Sequence, residues 1–368
     1  MTALSSILFL VSLTLGTSGQ IAFVSGTEQE DQCVCVLDTE SGAVMRVGPG
    51  QLDASPTWSP DGSWLAFETK SADGIAICIA RPDGSERRIV SKMLSWNRYP
   101  RWSADSTQLA YAGNPIERFT PRVVTCIIAS GDERLWGEEA PSLTRPVWMP
   151  SMKILNALRP EQQLDLGDKG AEAEAIDELL RSEQTIVAIA FSRVGEAFAL
   201  DPCFVTPQKT MILPEWVMPS PGQYAEWSIE PSPDGDMLAY ETNDGGDREI
   251  FVLSRLGAQN ITNHRAADWN PVWSPDGEWV AFESFRDGRR GIYRSFADTG
   301  RVVPMAVTAG SDNWSPSWSP DGKEIAFVSN RTGDREIFVT SLDGGDARQL
   351  TNRPGPDFSP AWRPQEKK

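Results

Sequence analysis

The polar and apolar positions of this chain repeat one local pattern. A segment closing on Trp-Ser is followed by Pro-Asp-Gly and then by a strongly apolar run: WSPDGSWLAF at 58–67, WSPDGEWVAF at 273–282 and WSPDGKEIAF at 318–327. Pro presets φ and Gly accepts positive φ, so Pro-Asp-Gly predicts a tight turn between two strands. After the third copy the alternation continues through Glu324 to Ser329 and breaks at a loop rich in Asp, Gly and Asn. It resumes at Glu336-Ile337-Phe338-Val339, turns at Asp343-Gly344-Gly345 and starts again at Gln349-Leu350-Thr351. Each copy therefore predicts four short strands.

Fainter copies fill the chain. Trp102 opens WSADSTQLAY, SPDGDMLAY at 232–240 keeps the turn with Pro231 in place of Trp, and WMPSMKIL at Trp148 is weaker still. The spacings are 44 (58 to 102), 46 (102 to 148), 42 (231 to 273), 45 (273 to 318) and 44 (318 to 362). A period near 44 is the length of a four-stranded propeller blade. The N-terminal IAFVSG, from Ile21, is the second half of a copy, and the C-terminal PAWRP, with Trp362, is the first half of one. Together they predict one blade, closed by a C-terminal strand joining the N-terminal ones, which removes exposed sheet edges.

The interval from Trp148 to Pro231 is 83 residues, nearly two periods. It holds an apparent helix, Ala171 to Gln184, with Ala173, Ile176, Leu179 and Leu180 on one face, and strand-like Thr185 to Ser192, Ala197 to Val205 and Thr210 to Leu213. The expected fold is an all-β, seven-bladed β-propeller with a short helical insertion near 171–184. The alternative is eight blades, one starting at Phe191, where FSRVGEAFAL mimics the phrase. The repeated Trp58, Trp102, Trp273 and Trp318 read as packing between blades.

Composition narrows the function classes. With 34 basic and 51 acidic residues the net charge is −17, a field that repels nucleic acid and anionic membranes. Ile7 to Leu15 form an apolar run of signal-peptide length, too short to span a bilayer, with the small residues Thr17 and Gly19 behind it. Residues 1–19 thus read as a signal peptide (or an N-terminal anchor), 20–368 as a single propeller domain, and the location as exported. The five cysteines, Cys33, Cys35, Cys78, Cys126 and Cys203, are an odd, scattered set and read as core residues, not a disulfide framework.

The pattern P-x-W-S-P-D-G-x-x-I-A-F, then S-N-R-x-G, E-I-F-V, D-G and L-T resembles the WD-repeat-like propeller repeats of the TolB C-terminal domain. It is also similar to repeats of the tricorn protease and of prolyl oligopeptidase-type propellers. The likeness is specific in the copies at 58, 231, 273 and 318, moderate at 102 and poor from about 113 to 225. It implies a periplasmic or otherwise exported scaffold that binds other proteins.

Catalytic motifs are sparse. There is no G-x-S-x-G elbow, and the single histidine, His264, sits in a loop-like ITNHRAADWNP. The best candidate is positional: Asp53, Asp268, Asp312 and Asp357 precede the blade Trp by 5, 5, 6 and 5 residues, with Trp269, Trp314 and Phe358 beside three of them. Such loops gather at one mouth of a propeller channel. There a ring of carboxylates and aromatics could hold a divalent cation, or an amine or Arg from a partner. The plainer reading is that each Asp ties down its turn. Arg286 and Arg331 read as bridges to backbone or acidic neighbours. The functional expectation is a monomeric, non-catalytic scaffold that binds a protein partner without a cofactor. The alternative is a metal-assisted hydrolase or lyase acting at the channel mouth.

Overall fold

In the computed structural model the described residues are 19–26, 31–114, 120–136, 142–149, 185–194, 197–206, 210–212, 228–243, 246–343 and 346–365. No helix occurs among them. The segment expected to be helical, 171–184, and most of the expected signal peptide lie outside the described residues.

The chain is all-β, in a β-propeller arrangement. Among the described residues it forms five four-stranded sheets and one eight-stranded sheet. Two examples show the repeating order: Asp268–Trp273, Trp279–Ser284, Gly291–Phe296 and Val302–Ala306, then Asn313–Trp318, Glu324–Ser329, Glu336–Ser341 and Arg348–Gln349. Each is an antiparallel meander. One sheet joins the two ends of the described chain: Asp357–Trp362 pairs with Gln20–Ser25, which leads to Cys33–Asp38 and Val44–Arg46. The eight-stranded sheet is two such meanders, 54–89 and 96–136, linked by one parallel pair, Ile75 with Trp96. Ile186–Val194 pairs with Leu143–Trp148 as the second strand of its sheet, so Phe191 lies inside a meander and opens none.

The recurring phrase is explained residue by residue. In Ser-Pro-Asp-Gly the serine hydroxyl donates to the aspartate two residues on and accepts the amide five residues on, as at Ser274, Asp276 and Trp279. The same bonds recur at Ser59, Ser103, Ser232 and Ser319. Partial burial works against charge on Asp61, Asp105 and Asp321, but the serine hydroxyl and the turn amides outweigh it and hold those carboxyls below their ordinary pKa.

The apolar triplet that follows places its large residues on one face and an alanine on the other. Val280 and Phe282 pack toward the preceding sheet with Trp273, while Ala281 faces the next sheet and shares a buried cluster with Trp318. Ala66 with Trp102, Ala110 with Trp148, Ala239 with Trp273, Ala326 with Trp362 and Ala22 with Trp58 repeat the arrangement. The small residue makes room for the indole of the next sheet. Five of the six indole N–H groups also reach back: Trp58, Trp102, Trp148, Trp273 and Trp318 donate to the carbonyls of Ala361, Thr57, Arg101, Glu230 and Val272 at 2.8–3.2 Å. The core thus lies between sheets, and the tryptophans stitch them by packing and by a directed bond. All five cysteines are buried thiols in no disulfide, as their scattered spacing predicts.

Candidate functional site

Six of the strands that carry these tryptophans share an irregularity absent from the sequence expectation. The residue three before each Trp has a left-handed backbone although none is glycine: Ser55, Tyr99, Arg145, Asn270, Ser315 and Ser359, with φ between 50° and 59°. At each, the register with the neighbouring strand slips, the mark of a β-bulge. A left-handed non-glycine residue costs roughly 1–2 kcal/mol, so its surroundings must hold it there.

Three glutamates do part of that holding. Glu68, Glu241 and Glu283 occupy the same position of the second strand in their sheets, where Val24 and Val328 stand in two others, and all are buried. Each accepts the amide of the next sheet's bulge residue: Tyr99 N to Glu68 at 2.9 Å, Asn270 N to Glu241 at 2.6 Å and Ser315 N to Glu283 at 2.9 Å. Glu283 also accepts from Asn270 Nδ2 at 2.8 Å and pairs with Arg290. Glu241 pairs with Arg248 at 2.7 Å. Burial nonetheless pushes the Glu241 carboxyl up to about 7, against the pull of Arg248 and the Asn270 amide.

The residues named from sequence separate into two groups. Asp53, Asp268 and Asp357 have no exposed surface. Asp53 accepts from Thr69 Oγ1 at 2.7 Å, Gly50 N at 3.1 Å and Val34 N at 3.3 Å. Asp268 binds Arg286 at 3.0 Å and Asp357 binds Arg353 at 3.2 Å. Burial raises the Asp53 and Asp268 carboxyls above the ordinary value despite these donors. Their carboxylates are engaged inside the protein and present no surface to solvent. Asp312 is displaced from them: the buried residue at the equivalent position, five before Trp318, is Asn313, whose Oδ1 accepts from Arg331 at 2.9 Å just as Asp268 accepts from Arg286. Asn97 holds the same place before Trp102 and donates to the carbonyls of Ile75 and Leu94. The position carries a short polar side chain in five of these six strands and Leu143 in the sixth, and a search for Asp alone misses the two asparagines. Arg286 bridges to an acidic neighbour as expected, whereas Arg331 bonds the neutral side chains of Ser329 and Asn313.

Trp269, Asp312 and Trp314 do come together, around a residue the sequence reading missed. The Arg290 guanidinium lies 5.3 Å from the Trp269 ring centre and 5.6 Å from that of Trp314, with buried Glu283 behind it. Phe285, an exposed aromatic, packs 5.1 Å from Trp269. Arg290, Phe285, Asp312 and Trp314, with Asn330, Gly333, Asp334 and Arg335, line a cavity of ≈ 620 Å³. Phe358 instead packs into the buried cluster of Phe23, Cys35 and Val328, where Trp314 also rests. The signal that could have found this site is a glutamate inside an apolar strand (VAFES against IAFVS) followed by an arginine-rich turn.

No protein-family model matches the chain, and no curated protein matches it in sequence. Solved structures do match. The β-propeller domain of the trilobed protease from Pyrococcus furiosus aligns with a TM-score of 0.64 at 13% identity over 92% of this chain and 96% of that one. TolB from Acinetobacter baumannii aligns with a TM-score of 0.58 at 16% identity over 94% of this chain and 67% of that one. The acylaminoacyl peptidase of Pyrococcus horikoshii aligns with a TM-score of 0.57 at 12% identity over 90% of this chain but only 50% of the peptidase. At these identities the likeness concerns the fold, and the conclusion it carries is a TolB-like β-propeller fold.

Proposed function

We propose that this chain is a non-catalytic, exported β-propeller scaffold that binds a protein partner at the mouth of its channel. The observation that carries the reading is the half-buried Arg290, set between Trp269 and Trp314 on the wall of a cavity of ≈ 620 Å³. Trp and Arg dominate the energetics of protein interfaces because they bury large area while keeping a polar handle. Here Glu283 and the two indoles fix the arginine on the cavity wall. The binding needs no cofactor.

We infer further a closed ring of seven four-stranded blades. The pairing of Asp357–Trp362 with Gln20–Ser25 supports closure, and the single parallel pair linking 54–89 to 96–136 supports counting that sheet as two blades. The apolar run Ile7 to Leu15 supports export, with a monomer as the working form.

The test is affinity capture from the exported fraction of the source cell, with the parent chain and a Trp269→Ala/Trp314→Ala variant, each with and without chelator. A partner captured by the parent, lost with the variant and indifferent to chelator is the expected result. Capture that survives the variant overturns the site. A hydrolase or lyase at the same mouth would instead show turnover that chelator abolishes.

A further inference from the structure

One face of the sheet that joins the chain ends carries two thiols side by side. Cys33 and Cys35 are two apart on the strand Cys33–Asp38, so both point to the same face. Across the ladder Cys33 stands opposite Ser25 and Cys35 opposite Phe23, which puts all four side chains on that face. Phe23, Cys33 and Cys35 share one buried cluster, on which Trp314 of the cavity wall rests. The other three cysteines stand alone. Cys78, Cys126 and Cys203 lie on three different strands and in three different buried clusters.

The surroundings of the pair are asymmetric. Cys33 Sγ lies 3.3 Å from the Val34 carbonyl and 3.5 Å from that of Gly48, acceptors that keep a proton on it. Its hydrogen bond to Cys35, with burial, pushes the Cys33 thiol far above its ordinary pKa. Arg353 occupies the same face. It donates to Ser25 Oγ at 2.6 Å, and its guanidinium lies 5.3 Å from the Phe23 ring centre, so it touches both residues that stand opposite the cysteines. The hydrogen bond from Cys33, aided by this guanidinium, brings the Cys35 thiol down to about 7 despite its burial. Burial instead pushes Cys78 up to about 12 and Cys126 up to about 11. One thiolate-forming cysteine thus has one protonated thiol within reach, the arrangement of an attacking and a resolving cysteine. Each keeps 4% of its surface exposed, and hydrogen peroxide is little larger than water. A strand rise of roughly 3.3 Å per residue separates the two Cα atoms by about 6.6 Å, near the long end of the ~4.4–6.8 Å that a disulfide spans. Bridges at that limit are readily reduced, which suits a reversible modification more than a structural staple.

We infer that Cys33 and Cys35 are a reversible redox site, oxidised by hydrogen peroxide to a disulfide within one strand. The Cys35 thiolate attacks one peroxide oxygen and becomes a sulfenic acid. The O–O bond breaks, and the departing hydroxide takes up the proton that Cys35 released, giving water. The Cys33 sulfur then attacks that of Cys35. The S–S bond forms, the S–O bond breaks, and the hydroxyl leaves as water with the Cys33 proton. Peroxide is reduced to two waters while two thiols are oxidised to one disulfide. The chemistry needs no partner at the mouth.

The test treats the folded full chain with hydrogen peroxide and removes the oxidant with catalase. The chain is then unfolded, alkylated with N-ethylmaleimide, and its tryptic peptides are mapped by mass spectrometry. Both cysteines fall in the peptide that ends at Arg46, and the other three fall in separate peptides. The expected result is that this peptide loses two hydrogens and both alkylation sites roughly tenfold or more faster than the three lone cysteines react. Dithiothreitol should restore both thiols. Cys33→Ala should leave Cys35 as a sulfenic acid that dimedone traps, whereas Cys35→Ala should leave Cys33 unoxidised. If either variant fails to fold, the time course of the parent and its reversal decide alone. No bridge in that peptide, lone cysteines oxidised as fast, or a bridge that forms only after unfolding overturns the site.

Discussion

Replacing Glu283 by Val puts into one sheet the residue that Val24 and Val328 already supply at the same position in two others, so the change is tolerated sterically by precedent within the molecule. What it removes is an acceptor. Ser315 N at 2.9 Å and Asn270 Nδ2 at 2.8 Å lose their partner, and Arg290 loses its ion pair. An unsatisfied buried donor costs ~1–3 kcal/mol. Arg290 is about a third exposed, so water recovers part of its loss. Valine burial offsets some of the remainder, leaving a net destabilisation of about 3 kcal/mol. Unfolding entropy of ~2.1 cal/mol/K per residue over 368 residues gives about 0.8 kcal/mol/K, and so a fall of about 4 °C in Tm. Glu283→Gln keeps an oxygen for Ser315 N and should cost about 1 kcal/mol, near 1 °C. Differential scanning calorimetry of the parent and both variants decides it. A Val variant that melts within 1 °C of the parent, or below which the Gln variant falls, would refute the view that this glutamate clamps the neighbouring bulge.

The other predictions use different parts of the fold. Glu241 has a folded pKa raised to about 7, so its contribution to stability is present below about 4.5 and is lost as pH rises through about 7; Asp53, Asp268, Glu249 and Glu336 are shifted the same way by burial. Asp61, Asp105 and Asp321 act oppositely, stabilising above about 3.8 and failing as pH falls below it. Tm should therefore peak in mildly acid solution, and Glu241→Gln should flatten the decline between pH 5 and pH 8; an unchanged slope in that variant contradicts the assignment. Ala281→Leu should overpack the seam against Trp318 and cost ~1–3 kcal/mol, read as a denaturation midpoint shift, whereas Ser63→Leu on a turn should not. Trp273→Phe leaves the Glu230 carbonyl without its indole donor, while the Trp362 indole N–H has no hydrogen-bond partner, so the first variant should be destabilised by about 1 kcal/mol more than Trp362→Phe. A chain ending at 356 lacks the strand that pairs with Gln20–Ser25 and should melt well below the full chain; equal melting points would remove that strand from the account of closure.

Much of this architecture is local and therefore legible in the sequence. The Ser-Pro-Asp-Gly turn is closed by bonds within five residues, the strand that follows alternates on its own, and the 44-residue beat places the strands. The alternation even encodes the seam, because an alanine flanked by large residues must face something bulky, and the next Trp supplies it. The site was half legible. Trp269, Asp312 and Trp314 were recognisable as neighbours in a repeat, but the shared position was read as Asp when it also takes Asn97 and Asn313, and Leu143 in one strand.

The tertiary structure alone decided which carboxylates are sealed and which are open. Asp53, Asp268 and Asp357 look equivalent to a binding ring in one dimension, yet each is fully buried and held by at least one donor, up to 19 residues away in sequence. It also decided that Glu68, Glu241 and Glu283 reach across to amides 29 to 32 residues further along, and that Arg290 lodges between two tryptophans of different sheets. Turn chemistry and strand period act over a few residues and survive as a pattern in the chain. Burial and partner choice are set where separate sheets meet, and no run of neighbouring residues records them.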